Sequence, residues 1–579
     1  MAAVARRDDL DSIEIMAPVP LDLRHSRWVA WVAHAGALLL FGLFALTLAP
    51  QIALHPATKV TPDLIDPVFN VWAVASADHN AVTWSDGIWS FFHGNIYYPT
   101  PHAASYTDVF VGLLPLSLPM SLFLHNPVVL TNALVLLAFV LSSYGAFLLG
   151  HALTRRYSAG LVAGLIYGFS PLQIEQVGHL NVISTQWLVF GAYSLVRAWR
   201  SESWRWWAAA GALLGLAAVT SLYYLAYLSA PLLCVALLLW REWTPRRVRG
   251  VLLAVGVAVL LVVPFSVPYL TRQAIMNAHY GAAAPTDILS FVRVLSGRFI
   301  DQLVLPSVPM RMMQPDHGLF PGFVPLALAV IAWRCRRPWR WLLWSVACAV
   351  LALGPLLAVD GRVLALPLPY AWLGALTPRF AVFRDPVRAM SGAYLGLAVL
   401  AAWGVREVVE RAPRRDSRAL MGAALVVLVA LELWSPVPTV SVAAVPAGEQ
   451  WLARQPSIHV VLELPMTSVT PLDWQRQTAI VYDSTAHWKT LVNGTGSVDP
   501  VGMTGRRMTL STYPSPASIT LIRHLHVDAV MLRLAWLAPM QRAKAEAFCR
   551  VAYRDAVEEI CLGPWSSTHG HGAVDGVDQ

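Results

Sequence analysis

The chain carries few charged residues for its length. Only 13% of its 579 residues are Asp, Glu, Lys or Arg, whereas a soluble globular protein carries roughly 25%. So few charges cannot cover a surface that faces water on all sides. This deficit excludes a soluble enzyme, a disordered scaffold and a nucleic-acid-binding protein.

Several sequence signals are also missing. The five cysteines include no C-x-x-C pair of the kind that binds metals, and there is no Gly-rich loop suited to nucleotide phosphates. No internal repeat of the inverted-transporter type is visible. Residues 1–27 mix charges without an apolar core, so we expect them to stay in the cytoplasm rather than act as a cleavable signal.

Apolar residues are abundant, and they are arranged in long runs. They make up 56% of the chain, and the mean hydropathy is +0.54. Long unbroken runs exclude an outer-membrane barrel and predict an all-α polytopic membrane domain, because about 20 apolar residues in a helix span a bilayer. The runs fall near 28–49, 110–124, 127–150, 158–171, 186–199, 205–221, 223–240, 250–270, 319–333, 340–358, 389–405 and 417–435.

The basic residues indicate how these runs are oriented. From residue 155 onward, two apolar runs separate neighbouring arginine clusters. Because basic loops stay in the cytoplasm, this alternation predicts about eleven spans with the N-terminus inside. The run 110–124 is short and contains two prolines, so we expect a juxtamembrane or re-entrant helix there. If that run crosses, the count is twelve.

This orientation predicts a multi-pass membrane protein with its large loops outside the cytoplasm. The membrane domain extends over 28–435, and its first outer loop, 50–126, is large. Further outer segments are expected at 172–185, 271–318 and 359–388, with everything after about 436 also outside.

The last part of the chain changes character. The strings "SIHVVLELP" and "VDAVMLR" predict strands, and "SPASITLIRHL" predicts a helix capped by its first serine. We therefore expect a small extracytoplasmic α/β domain at 446–579. In that location Cys549 and Cys561 can form a disulfide, because the extracytoplasmic compartment is oxidising.

In the first outer loop, the string "DPVFNVW" predicts the start of a helix. Asp66 at the cap and Pro67 at the first helical position are typical of helix N-termini, and Asn70 lies one turn later on the same side. Asp66 has two interpretations, a helix cap or a general base at the membrane–water boundary. The sequence leaves both open.

The same loop continues with a dense group of polar and aromatic residues. Aromatic rings beside hydrogen-bonding groups suit a sugar, because its C–H faces stack while its hydroxyls bond. An aromatic belt at the membrane interface explains the group equally well. The candidate substrate-binding residues are His79, Asn95, Tyr98, His102 and Asp108.

The second outer bend, "SPLQIEQVGHLNVISTQW", places four polar side chains at the end of a membrane helix, where such groups are commonly functional. They are Glu175, His179, Asn181 and Gln186. If the bend is helical, Glu175 and His179 share a face. That spacing leaves a divalent metal open as cofactor, although no third ligand is evident and we assign no metal site.

A late outer segment, "TPRFAVFRDPVRAM", is basic on the side where few basic residues are expected. Its arginines are Arg379, Arg384 and Arg388. A phosphate or pyrophosphate partner would account for them, since a guanidinium pairs with phosphate through two hydrogen bonds. The alternative is local pairing with Asp385.

Three of these strings carry a resemblance to a known superfamily. The first-loop "DPVFNVW…GNIYYP", the bend "SPLQIEQVGHLNVISTQW" and the late "FRDPVRAM" resemble bacterial membrane glycosyltransferases of the GT-C superfamily. Its relatives include protein O-mannosyltransferases, aminoarabinose transferases and oligosaccharyltransferases. The likeness covers most of the membrane part and extends to "NGTGSVDPVGM" and "IRHLHVDAVMLR" in the terminal part.

The resemblance implies an inverting glycosyltransferase of the bacterial inner (cytoplasmic) membrane whose active site faces outward. Such enzymes move a sugar from a polyprenyl-phosphate-linked donor to a glycan, lipid or protein acceptor, and the first-loop acid that acts as base corresponds to Asp66. Relatives often have Asp-Glu or Asp-x-Asp where this chain has Asp66 and Pro67. That departure leaves Asp63, Asp78 and Asp108 as rival bases.

A lipid or solute transporter, or a flippase, is the alternative class. Many spans with Gly and Pro would suit it. A transporter should, however, carry polar groups near the middle of its spans. Spans such as 127–150, 223–240 and 250–270 have almost none, which favours the enzyme.

Overall fold

The computed structural model describes a mostly helical protein with a small sheet near its C-terminus. The described residues are 23–279, 283–295, 297–304, 317–376, 383–466 and 470–563. Every predicted apolar run contains a helix. The first helices are α1 (Leu23–Leu48), α2 (Pro50–Leu54), α3 (Asp66–Thr83), α4 (Leu114–Ser121), α5 (Pro127–Thr154), α6 (Tyr157–Gly168), α7 (Pro171–Glu175), α8 (Leu180–Ile183) and α9 (Gln186–Ser201).

The helical part continues to residue 433. Its later helices are α10 (Trp204–Thr220), α11 (Leu222–Leu238), α12 (Pro245–His279), α13 (Phe299–Val304), α14 (Phe323–Arg336), α15 (Trp339–Ala352), α16 (Pro369–Leu376), α17 (Met390–Glu410) and α18 (Arg415–Leu433). Two short strand pairs accompany them. β1 (Lys59–Val60) pairs with β4 (Val440–Ser441), and β2 (Leu356–Val359) pairs with β3 (Arg362–Pro367).

Several of these helices suit a membrane. Four segments of the described chain are long and apolar enough to cross it, namely Trp28–Leu48, Pro127–Thr154, Pro245–Tyr269 and Pro386–Glu410. Three shorter apolar helices are Val111–Ser121, Leu222–Leu238 and Trp339–Ala352. The protein is therefore a multi-pass membrane protein by length and composition, and the count of eleven spans stays a prediction.

The segment around α4 has the length expected of a helix that does not cross. Its apolar stretch, Val111–Ser121, would rise about 17 Å, well short of the roughly 30 Å of a bilayer core. Pro119 lies inside it. This length agrees with the prediction of a juxtamembrane or re-entrant helix.

Close packing between α5 and α6 positions the bend that follows. On α6, Gly160, Gly164 and Gly168 recur every four residues and face α5. A Cβ at Gly164 would lie 2.7 Å from the backbone oxygen of Ser143 and 2.3 Å from Cζ of Phe41. Small residues at this spacing let two membrane helices approach backbone to backbone.

One predicted span ends earlier than the sequence suggested. The run 340–358 was expected to be a single helix, but α15 ends at Ala352 and the chain then forms the β2–β3 hairpin. Left-handed backbone at Asp360 and Gly361, with φ of 49° and 75°, makes the tight turn, as Asp-Gly pairs do. The apolar content of the hairpin made it indistinguishable from a helix by composition.

The C-terminal part forms the predicted α/β arrangement. A five-stranded sheet has the order β6-β5-β7-β9-β8, with β5 parallel to β6 and β7 and antiparallel pairing at β9. The strands are β5 (Val460–Leu464), β6 (Thr490–Leu491), β7 (Ala529–Arg533), β8 (Arg550–Arg554) and β9 (Glu558–Leu562). The helices are α19 (Ala447–Ala453), α20 (Pro471–Asp483), α21 (Met503–Leu510), α22 (Pro516–His524) and α23 (Pro539–Phe548).

Local predictions for this part agree with the structure. The two predicted strands are β5 and β7, and Ser515 caps α22 by accepting a hydrogen bond from the backbone N–H of Ser518. Cys549 and Cys561 form a disulfide that joins the start of β8 to β9, with Cα atoms 5.1 Å apart.

Candidate active site

The candidate site begins at the N-terminus of α3, where the predicted helix start is confirmed. The N-cap residue, however, is Ile65, and the side chain that accepts the free N–H groups at this helix end is that of Asp63. Its Oδ1 accepts the backbone N–H of Ile65 at 2.7 Å and that of Asp66 at 3.1 Å. Asp66 is the first helical residue and its carboxylate makes no capping bond. The interpretation of Asp66 as only a helix cap is therefore wrong, and its carboxylate is left for other contacts.

Asp66 instead faces His179. Oδ2 of Asp66 lies 3.2 Å from Nε2 of His179, and both side chains are partly exposed. Asn70, one turn further along α3, donates a 2.7 Å hydrogen bond to the backbone oxygen of Gly178. Asn70 thus holds the bend that carries His179 against the helix that carries Asp66.

A second carboxylate approaches from the end of the first outer loop. Asn181 donates from Nδ2 to Oδ2 of Asp108. The preceding residue is anchored too, because the hydroxyl of Tyr269 donates to the backbone oxygen of Thr107 at 2.9 Å. Asp108 and Asn181 thereby join the first loop to the bend, beside His179.

Arg388 supplies positive charge to both carboxylates, since its electrostatic interaction reaches Asp66 and Asp108. It is buried, lies 2.9 Å from Oδ2 of Asp385, and its guanidinium stands 4.1 Å from the ring centre of Tyr223. Pairing with Asp385 therefore exists, as the alternative interpretation expected, but it does not prevent Arg388 from facing the site.

Arg384 belongs to the same region, because it interacts electrostatically with Tyr223 together with Arg388. Arg379 lies outside the described residues. Of the three predicted phosphate-binding arginines, two are therefore located near the candidate site by the described structure.

The pKa values of the two carboxylates are shifted in opposite directions. Burial alone would raise the pKa of Asp66, but the hydrogen bond and charge of His179 and the charge of Arg388 outweigh it and hold the pKa below its ordinary value. Burial raises the pKa of Asp108, and Arg388, Asn181 and His179 offset only part of that. Two acids whose pKa values are driven apart are typical of catalytic sites.

Glu175 does not share a partner with His179. The bend consists of two short helices, α7 and α8, with a break between them. Glu175 and His179 therefore do not lie on one face of a single helix. Glu175 instead lies 2.8 Å from Nδ1 of His317 in a later outer segment. Glu175 and His179 therefore have different partners in the structure. Gln186 is buried at the first position of α9.

Part of the first loop contacts the C-terminal sheet. Asn95 donates to the hydroxyl of Ser484 at 3.0 Å, and its backbone oxygen accepts from Leu491 at 2.8 Å. The backbone N–H of Tyr98 donates to Leu491 at 2.9 Å. The stretch 95–98 therefore extends the sheet beyond β6.

Two further predicted substrate-binding residues lie in ring contacts. His79 stacks on Trp488 of the C-terminal part, with ring centres 4.2 Å apart. His102 stacks on His93 of its own loop at 5.2 Å. The described contacts of these two rings are therefore with other aromatic side chains and not with Asp66.

Two residues near the site were not identified from the sequence. Tyr223 is the second residue of α11, and His317 precedes α14. An aromatic pair at the start of a span and a histidine just before an apolar run were the available signals. Neither signal distinguishes a site residue from an interfacial one.

The described residues thus define a helical membrane protein with a polar site where several helices end. Residues 81–436, more than half of the chain, match the family described as "Domain of unknown function (DUF6311)", and the chain belongs to that family. No curated protein matches the sequence.

Among solved structures, the chain is similar to the arabinofuranosyltransferase AftD from Mycobacteria, with 14% identity and a TM-score of 0.48 over 93% of this chain. It spans 41% of the AftD chain. It is also similar to ArnT from Cupriavidus metallidurans in the apo state, with 12% identity, a TM-score of 0.49 and coverage of 94% of this chain and 100% of that one. ArnT bound to undecaprenyl phosphate gives 14% identity, a TM-score of 0.42 and the same coverage.

Proposed function

We propose that the protein is an inverting glycosyltransferase of the membrane that takes its sugar from a polyprenyl-phosphate-linked donor. The observation that carries the proposal is that the Asp66–His179 and Asp108–Asn181 contacts both lie within the electrostatic reach of Arg388. A buried arginine at the end of membrane helices is costly and is commonly functional. The sequence resemblance to GT-C enzymes points to the same chemistry.

Each residue has a distinct task in the proposed reaction. Asp66, which His179 orients, accepts the proton of the acceptor hydroxyl. The hydroxyl oxygen attacks the anomeric carbon while the bond from that carbon to the phosphate oxygen breaks. The electron pair leaves with the polyprenyl phosphate, whose growing negative charge Arg388 and Arg384 stabilise.

Asp108 and Asn181 suit a different task. Their mutual hydrogen bond and the burial of Asp108 favour a group that binds a sugar hydroxyl rather than one that takes its proton. The acceptor is a glycan, a lipid or a protein. No nucleotide or nucleic acid takes part in this scheme.

The proposed reaction takes place on the outer face. The disulfide between Cys549 and Cys561 supports this location for the C-terminal part, because disulfides persist in oxidising compartments. Arginines at the opposite helix ends, such as Arg246 and Arg415, support a cytoplasmic location for those ends. A transporter is less well supported, because the polar groups gather at one end of the helices rather than midway.

The decisive experiment compares two aspartates three residues apart. We expect Asp66→Asn to lower sugar transfer by a factor of roughly 10² to 10⁴, because the amide has no basic lone pair for the hydroxyl proton. Asp63→Asn is the matched control, since asparagine caps a helix about as well as aspartate. The assay is transfer from a polyprenyl-phosphate sugar to endogenous acceptors in nanodiscs.

Both variants should keep the wild-type thermal midpoint. Near-normal transfer by Asp66→Asn would remove Asp66 from the base role and turn attention to Asp108. Absence of transfer in the wild-type protein with every polyprenyl-phosphate donor tested would contradict the proposed function itself.

A further inference from the structure

The segment 356–376, which contains β2, β3 and α16, carries apolar side chains that nothing in the described structure covers. α16 has the sequence PYAWLGAL, without a charged residue. Trp372 and Leu376, four positions apart on one face, are 60% and 82% exposed. A helix without polar side chains is not stable with a face in water.

The strand β3 also exposes apolar side chains. Val363 points to one side of the hairpin, and Leu364 and Leu366 point to the other, because strand residues alternate. All three are exposed, Leu366 to 52%. An apolar strand exposed on both sides suggests lipid surroundings rather than water.

The backbone of the hairpin limits how deep it lies. Among the described residues β3 pairs only with β2, so its outer edge keeps unpaired N–H and C=O groups. Hydrocarbon would leave those groups unsatisfied, whereas the headgroup layer offers water and lipid oxygens. Arg362 is exposed next to the turn, and long basic side chains at a membrane surface keep their charged ends in the polar layer.

The other face of α16 leads to the candidate site. The hydroxyl of Tyr370 donates to the backbone oxygen of Phe383. Phe383 lies 5.6 Å from the ring of Tyr223, the ring over which Arg388 stands. One face of α16 therefore packs on the surroundings of Arg388 while the opposite face is uncovered.

We propose that segment 356–376 lies in the outer headgroup layer of the membrane and receives the lipid-linked substrate beside Arg388. The occupant of its uncovered face is a phospholipid surface. Val346 on the preceding helix α15 is a further exposed apolar residue. The receiving role rests on the proposed function, whereas the location in the membrane does not.

The location is tested by spin labels on full-length protein in nanodiscs of anionic and zwitterionic phospholipid. Leu366→Cys and Leu376→Cys are labelled in a background without Cys234, Cys335 and Cys348. Collision with oxygen and with a nickel chelate measures depth. Both positions should lie between an exposed position in span Pro245–Tyr269, Leu260→Cys, and an exposed position on the C-terminal part, Ala517→Cys.

Nickel access equal to that of Ala517→Cys would overturn the location. Spin–spin broadening at Leu366→Cys would overturn it as well, because it would show a second copy pairing along the edge of β3. Neither result depends on whether the protein transfers sugar.

The receiving role is tested by kinetics. The double variant Trp372→Gln/Leu376→Gln should raise KM for a long-chain lipid-linked donor about tenfold with kcat unchanged, as expected when only substrate capture is weakened. KM for a water-soluble short-chain donor should not change. The matched control is Val501→Gln/Met508→Gln, two exposed apolar residues of the C-terminal part.

Equal KM values in both double variants would remove the receiving role while leaving the depth result standing. Failure of the wild-type protein to transfer sugar would contradict the proposed function instead. The two failures are therefore distinguishable.

Discussion

Arg533 on β7 is surrounded by more negative charge than it can neutralise. Its guanidinium lies 2.7 Å from Glu463, 3.0 Å from Asp483 and 2.6 Å from Glu558, and it also contacts Glu449. All five side chains are buried. Burial raises the pKa of Glu463 and of Glu558 to about 8, in spite of Arg533. Some carboxyl groups of the cluster therefore stay protonated in the folded protein near neutral pH.

This cluster predicts stability that falls as pH rises. A carboxyl with a raised pKa holds its proton in the folded state after the unfolded chain has lost it, so its contribution is complete below about pH 4.5 and is lost toward pH 8. Glu463→Gln keeps an acceptor for Arg533 and cannot ionise. We expect its thermal midpoint to depend less on pH between 5 and 8, with the slope of unfolding free energy reduced by up to about 1.4 kcal/mol per pH unit.

The control for this prediction is Glu546→Gln, at a partly exposed carboxylate paired with Arg542. It should leave the pH dependence of the thermal midpoint as it is in the wild-type protein. Parallel pH curves for Glu463→Gln and the wild-type protein would show that Glu463 is ionised throughout.

At the scale of elements, the α5–α6 contact depends on its glycines. Gly164→Leu would force a side chain against Phe41 and the backbone of Ser143, and backbone cannot move aside as a flexible side chain can. We expect a loss of about 1–3 kcal/mol or more, seen as a lower thermal midpoint in detergent and a lower folded yield. Gly256→Leu is the matched control, because nothing lies within 4 Å of a Cβ there. A tolerated Gly164→Leu would mean that the two helices are further apart.

The first outer loop acts as an element between the two parts of the molecule. Its residues 95–98 pair with the edge at β6, while the same loop ends at Asp108 in the candidate site. Asn95 also accepts from the indole of Trp72 on α3 at 2.9 Å. The loop therefore connects the C-terminal sheet to the helix that carries Asp66.

For the whole molecule, the outward-facing site requires a definite orientation. In a background without Cys234, Cys335 and Cys348, Ala517→Cys should react with a membrane-impermeant maleimide on intact cells, and Arg246→Cys should not, because basic loops stay inside. His125→Cys probes whether α4 crosses, and it should react from outside. Labelling of Arg246→Cys from outside would reverse the topology and with it the proposed location of the active site.

Composition and short-range pattern were sufficient for much of the architecture. Apolar runs predicted the helices, because a lipid environment demands internal hydrogen bonding wherever the chain is apolar. The strings "SIHVVLELP" and "VDAVMLR" predicted β5 and β7. Ser515 and Pro67 predicted helix starts, because capping involves residues within a few positions of each other. The β2–β3 hairpin was not predicted, because a strand that is apolar on both faces shows no hydrophobic periodicity that distinguishes it from a helix.

The partners of the polar side chains were decided by the tertiary structure alone. Asp63 and Asp66 are both aspartates close to the start of α3, and the sequence does not distinguish their roles. The structure shows that Asp63 accepts the N–H groups of the helix end, whereas Asp66 faces His179. Asn95 and Asp108 lie in one loop, yet one contacts the sheet and the other the bend. Hydrogen bonds and ion pairs act over a few ångströms, and the chain separations they bridge here are long. Local sequence therefore supplies the candidate residues, and the packing of helices determines which of them meet.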